Sequence, residues 1–255
     1  SIISNHTSGH YKTVVNSIKK KMNIFVEKPL FCSLKNFDKL KKNLKKNKLK
    51  FLVGYQRRFS SSVVAFEKLV KKLKIKKIKV EVNSYVPYWH QYEDYKKMYV
   101  CKKNLGGGSL LTECHEIDII LKNFGLPNKI KCKKYYDRKN IDVETRHSMI
   151  LFYNSFEVDF KINIFSKEIK RIISIITNDS TYDIDLNNNV ILKNNKIIYK
   201  KKVIPEVEFR KQMKYFFSNK MNLNENISQT KNNLLVFHAC LKSDKKNKII
   251  KLGYV

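Results

Sequence analysis

The stretch Gly106-Gly107-Gly108-Ser109-Leu110-Leu111-Thr112-Glu113-Cys114-His115-Glu116-Ile117-Asp118 gathers the side chains that proton chemistry needs. Thr112, His115 and Asp118 recur at offsets of three, which on a helix puts them on one face where their side chains meet. A carboxylate one turn from an imidazole fixes its tautomer and holds its pKa near working pH. The spacing therefore predicts a general acid/base, with a satisfied core histidine as the alternative. The triple glycine lets backbone come close to a bound group, and the apolar run behind it, ending at Gly125-Leu126-Pro127, predicts one mostly buried helix with a glycine stop. Cys114 makes no nucleophile and base pair with His115, because helix neighbours point about 100° apart.

The elements that must position this helix follow from periodicity. A short apolar strand, Ser1-Ile2-Ile3-Ser4, leads into the polar loop Asn5 to His10 and a helix through Val14, Val15 and Ile18. A compact strand Asn23-Ile24-Phe25-Val26 then runs straight into Glu27-Lys28-Pro29. A helix capped by Ser33 and a strand over 50–54 complete a β-α-β-α-β order, which marks a parallel sheet covered by helices. Ligands of such sheets sit beyond the carboxyl ends of the strands, where Ser4 to His6, Glu27 to Pro29 and Tyr55 to Phe59 emerge.

Beyond Phe59 the pattern changes. A helix over 60–73 and a long alternating strand over 75–86 precede an aromatic loop containing Tyr88, Trp89 and Tyr92. After the glycine helix come strands over 129–135, 145–153, 156–165, 170–177 and 180–186, then a hairpin over 190–199 turning at Asn194-Asn195. These predict an antiparallel sheet in meander order, closed by helices over 206–217 and 226–242.

Three motifs resemble the glucose–fructose oxidoreductase, inositol dehydrogenase and rhizopine catabolism (Gfo/Idh/MocA) group of NAD(P)-dependent oxidoreductases: Glu27-Lys28-Pro29, Gly54-Tyr55-Gln56-Arg57-Arg58-Phe59, and the triglycine helix with His115-Glu116-Ile117-Asp118. The resemblance implies an α/β fold: the C-terminal part of a Rossmann domain (1–59), then a substrate and oligomerisation domain (60–255) with a large, mostly antiparallel open sheet whose outer face forms a homo-oligomer contact. It implies that Lys28 binds the nicotinamide ribose and the substrate hydroxyl, often before a cis proline, and that His115 is the acid/base. Asp118 and Thr112 then support it; many relatives carry Asp three residues before the histidine, where this chain has Thr112, so a second carboxylate of the proton relay is Glu113, Glu116 or Asp118, or is absent.

Ser4, Asn5, His6, His10, Glu27, Lys28, Gln56 and Arg58 are the expected contacts to NAD or NADP, and Lys28, Tyr88, Trp89, Tyr92 and His115 those to a sugar or nucleotide sugar. The alternatives are plain interface packing for Trp89 and an ion pair within its own domain for Arg58. Tyr85-Val86-Pro87-Tyr88-Trp89 with Asp94-Tyr95 looks like a branch associated with surface-polysaccharide sugar metabolism. No G-x-G-x-x-G occurs, so the family's first βαβα unit is expected to be missing and the chain alone to be an inactive fragment.

Composition bounds the alternatives. A net charge of +31 points toward nucleic acid, but the excess is lysine in runs such as 41–50 and 71–79, interrupted by Leu and Ile as solvated faces are. Specific nucleic-acid binding is the least favoured reading. A noncatalytic sugar-binding or scaffold relative without its cofactor site is the main alternative to an enzyme. Five scattered cysteines with no C-x-x-C spacing predict reduced thiols and no metal site, and no run of ~20 apolar residues occurs, so a cytoplasmic protein off the membrane is expected.

Overall fold

The computed structural model describes residues 1–253. Its first unit is a three-stranded parallel sheet in the order β1 (Ile2–Ile3), β2 (Ile24–Glu27), β3 (Phe51–Gly54), with α1 (Thr7–Lys19) and α2 (Phe37–Lys46) as crossovers. These strands are short continuous apolar runs because both faces are covered: Ile24, Val26, Phe51 and Val53 are buried. Ser33 caps no helix. Its Oγ accepts from Lys35 N in a turn, and α2 starts later, at Phe37.

The second unit is a sheet in the order β11-β10-β9-β8-β4-β7-β6-β5-β12, reached through α3 (Ser61–Val70). Its strands are β4 (Lys77–Tyr85), β5 (Lys129–Tyr135), β6 (Arg146–Phe152), β7 (Glu157–Asn163), β8 (Phe165–Ile176), β9 (Thr181–Asp185), β10 (Val190–Lys193), β11 (Lys196–Lys200) and β12 (Ile250–Lys251). The alternation works as expected. Ile78, Val80 and Val82 of β4, and Val158, Phe160 and Ile162 of β7, bury one face, while Lys79, Glu81, Asp159 and Lys161 occupy the other. Phe160→Ala would open a cavity there at a cost of about 3–5 kcal/mol.

The meander order is not what forms. β4 lies between β7 and β8, parallel to the first and antiparallel to the second, so the chain passes the end of β4 at Ile164, whose carbonyl takes Val86 N at 3.0 Å. Alternating apolar residues state which face a strand buries but not which neighbour it pairs with. The hairpin turn at Asn194-Asn195 is as expected, both residues having positive φ (48° and 64°).

Helices α6 (Pro205–Phe217) and α7 (Leu223–Lys246) follow. α7 lies on β5 through Ser243 Oγ, which accepts from Cys132 N at 2.9 Å, and on the triglycine segment through Asn233. The triglycine helix is broken. It forms α4 (Ser109–Thr112), leaves helical geometry at Glu113 and Cys114, and restarts as α5 (His115–Phe124).

Candidate active site

The first two motifs sit where a parallel sheet places its ligand-facing turns. β2 ends at Glu27, followed by Lys28 and a cis Lys28–Pro29 bond; β3 ends at Gly54, followed by a 3-10 turn over Gln56–Phe59. The glycines of the third motif approach their own chain rather than a ligand. Gly107 N and Gly108 N donate to the Lys102 and Val100 carbonyls, and Gly108 adopts φ 102° with a carboxylate of Glu144 where a Cβ would stand.

Lys28 and the broken helix meet. Lys28 Nζ donates to the Thr112 carbonyl at 2.5 Å, and His115 opens α5 three residues later. His115 is buried, and its Nδ1 has no hydrogen-bond partner; neither has Thr112 Oγ1 nor Glu116 Oε2. Three orphaned buried polar atoms on one five-residue segment are unusual, since buried polar groups are normally paired. Burial pushes the His115 pKa well down, and the charges of Lys28, Arg57 and Arg58 push it further, so the imidazole is neutral at neutral pH.

Asp118 does not reach His115. The helix break takes Thr112 off the face that His115 and Asp118 share on α5, and Asp118 is claimed by Arg58, which donates from Nε at 2.6 Å and Nη2 at 2.5 Å, and by Asn233 Nδ2 at 2.7 Å. The expectation that a carboxylate holds the His115 pKa near neutrality is thereby corrected: after burial, the charges that shift it are the cations Lys28, Arg57 and Arg58. The influence of Asp118 is indirect. Arg58 lies 5.2 Å over the Tyr55 ring, and Tyr55 meets His115 edge to face at 6.0 Å.

The other expected contacts divide. Arg58 is spent on Asp118, an ion pair with α5 rather than with a carboxylate near it along the chain. His10 is buried with Nδ1 at 3.0 Å from the Pro29 carbonyl and Nε2 at 2.8 Å from the Asn5 carbonyl, so it fastens the turn that carries Lys28 and is not an open cofactor contact. Ser4, Asn5 and His6 are exposed at the end of β1, with His6 Nδ1 3.0 Å from Ser8 Oγ. Glu27 Oε2 accepts from Lys28 N at 3.3 Å, and burial raises its pKa; Gln56 is half-buried on the 3-10 turn.

The aromatic loop stands apart. Trp89 packs on the Val86, Met98, Val100, Cys101 and Ile164 cluster, Tyr88 is exposed against Tyr85, and exposed Tyr92 bonds His90. Among the described residues, no hydrogen bond or ring contact joins these three to Lys28 or His115.

Sequence reasoning offered Glu113 and Glu116 as relay carboxylates, whereas both are held by Arg171, and it gave no role to Arg57 or Arg171. Arg171 bonds Glu116 Oε1 at 2.7 Å and also Glu113, both buried, while Arg57 Nη1 donates to the Leu186 carbonyl at 3.2 Å. Glutamates on a buried helix were the available signal, since such groups need a cation. Arg171, far away in sequence, carries no local sign of being that cation. Among the described residues, no three His, Cys, Asp or Glu side chains gather as a metal site, and no helix is long and apolar enough to cross a membrane.

The model of an oxidoreductase family with an NAD-binding Rossmann fold, Gfo/Idh/MocA, matches residues 1–55. The matched segment holds the three-stranded parallel sheet. The whole chain has the fold of solved oxidoreductases. It resembles the putative oxidoreductase yvaA of Bacillus subtilis (TM-score 0.79, 17% identity, covering 99% of this chain and 79% of that one). It also resembles the WlbA dehydrogenase of Bordetella pertussis, solved with NADH and UDP-GlcNAcA (TM-score 0.80, 13% identity, 100% and 79%). A third is an Agrobacterium radiobacter oxidoreductase, solved with NAD+, L-tartaric acid and magnesium (TM-score 0.80, 11% identity, 98% and 79%). No curated protein matches by sequence. The family resemblance read from the three motifs, and the mixed fold with a large, mostly antiparallel sheet, agree with these findings.

The family matched over residues 1–55 binds NAD, and the fit to a dinucleotide is tested at its nicotinamide end, since this sequence has no G-x-G-x-x-G to hold the pyrophosphate. There the residues fit. A lysine at a strand end, a neutral histidine and unpaired buried polar atoms converge on one place.

Proposed function

We propose that this chain carries the substrate-handling part of an NAD(P)-dependent dehydrogenase acting on a hydroxyl carbon of a sugar or nucleotide sugar, with domains at 1–59 and 60–255. The observation that carries it is the meeting of Lys28 with the Thr112–His115 segment: Nζ lies 2.5 Å from the Thr112 carbonyl, and the neighbouring buried imidazole has an unpartnered nitrogen.

The nicotinamide, when bound, takes or gives the hydride. Lys28 holds the substrate oxygen and, as a cation, stabilises the negative charge that grows on it. His115, neutral because it is buried among cations, takes the hydroxyl proton on oxidation and returns it on reduction. Thr112 offers an unpartnered hydroxyl to a neighbouring substrate group. The sugar reading draws support from the printed ligand of the WlbA dehydrogenase, a nucleotide sugar. Assembly through the outer face of the large sheet and a place in surface-polysaccharide metabolism belong to the same proposal.

The test is a screen of sugars and nucleotide sugars with both cofactors, run on the full-length protein and on its Lys28→Met variant. A substrate whose turnover drops about 10²–10⁴-fold in the variant supports the reading. Equal turnover in both would remove Lys28 from the chemistry.

A further inference from the structure

In an uninterrupted helix the Thr112 carbonyl would accept from the backbone N–H four residues on, that of Glu116. Here the chain turns away at Glu113 (φ −104°, ψ 53°) and Cys114 (φ −98°, ψ 3°), and that carbonyl accepts from Lys28 Nζ instead. The local sequence supplies no reason for a break, because neither Gly nor Pro lies between Ser109 and Phe124. What holds the break comes from the sheet. Arg171 on β8 grips a carboxylate on each side of it: Nη1 donates to Glu116 Oε1 at 2.7 Å, and Nη2 donates to Glu113 Oε2. Ser84, near the end of β4, donates to the other Glu113 oxygen at 2.7 Å.

Glu113 and Glu116 are 3% and 0% exposed and the Arg171 side chain 11%. An ion group this buried gains little stability over well-packed apolar side chains, so its contribution is to be sought in the geometry it fixes.

We propose that Arg171 is a positioning residue for Lys28 and His115: by holding Glu113 and Glu116 astride the break, it leaves the Thr112 carbonyl free for Lys28 and starts the next helix at His115. Arg171 acts through the backbone and touches no reacting atom. The inference rests on the chemistry proposed for Lys28 and His115. If the grip is lost, Thr112 O closes a helical bond with Glu116 N–H, Lys28 loses its acceptor, and His115 loses the foremost of the charges that keep it deprotonated.

The deciding variant is the triple change Arg171→Met, Glu113→Gln, Glu116→Gln, which removes the grip without leaving a buried charge unpaired; Arg171→Lys, with a charge but no fork, is its companion. Each is followed by thermal melting, by NMR titration of the His115 ring, and by steady-state kinetics beside Lys28→Met and His115→Ala. The expected result is a folded triple variant in which His115 titrates at higher pH than in the parent. Its turnover falls about 10–100-fold while the cofactor KM stays within about twofold, as for a misplaced reacting group. Arg171→Lys should lie between, and it decides by the same two readouts if the triple variant does not fold. A folded variant with parental His115 titration and turnover overturns the proposal. Unchanged turnover in Lys28→Met and His115→Ala would instead sink the proposed function, and the NMR titration would still judge Arg171.

Discussion

His115 and His147 are both buried, one within the segment that follows the glycines and the other against it, yet their surroundings differ. His147, on β6, has its Nδ1 2.8 Å from the hydroxyl of Ser109, the first residue of α4, and burial lowers its pKa to about 3. His115 is also pushed down by burial, but its Nδ1 has no partner and three cations act on it. A buried ring with its polar atom satisfied fixes structure. A buried ring left unsatisfied beside a lysine suits the proton transfer proposed above.

The largest expected effect breaks the comparison on the side of function. His115→Ala should cut turnover about 10²–10⁴-fold with little change in melting temperature, whereas His147→Gln should change turnover less than about threefold. Because the His115 pKa is depressed, the parent's oxidation rate should hold level as pH falls through about 6.5. Steady-state kinetics with the screened substrate give both answers, and equal losses in the two variants would end the distinction.

The next effect is on stability and belongs to His147. Its folded pKa, about 3, lies below the ordinary histidine value, so the unfolded chain takes up the proton first. Its contribution is fully present above about pH 6.5 and is lost as pH falls toward about 3, by about 4–5 kcal/mol in all. Urea melts at stepped pH should show this fall, and His147→Gln should flatten it.

Asp118→Asn tests the indirect link. It leaves Arg58 buried without its counter-ion and should cost about 3 kcal/mol, much of it recovered by adding Arg58→Met. Denaturant melts of the single and double variants measure the coupling; additive losses would show that Arg58 and Asp118 do not act together. The smallest effect is at Thr112, whose hydroxyl has no partner. Thr112→Val should shift stability by less than about 1 kcal/mol, upward or not at all, because it removes an unsatisfied buried group. Turnover unchanged as well would show that the substrate does not use this hydroxyl.

The sequence by itself determined the parts that depend on neighbours along the chain. Short apolar runs bounded by turn residues gave the parallel strands, period-two alternation gave the strands of the large sheet, and paired asparagines gave the last hairpin. Glu27-Lys28-Pro29 and the triglycine run marked two of the turns from which the site is built, and together with the Gly54–Phe59 motif they carried the family resemblance. Tertiary structure decided the rest. The insertion of β4 between β7 and β8 leaves no trace in alternation, because every strand of a sheet packed on one face alternates alike. The break between α4 and α5 was read as continuous helix because local propensity favours one. Arg171, more than fifty residues away, is bonded to both sides of that break. Asp118, one helical turn from His115, is taken by Arg58 and Asn233 from two distant segments. A buried charge goes to the partner that best offsets its desolvation, and that partner is chosen by proximity in space rather than along the chain.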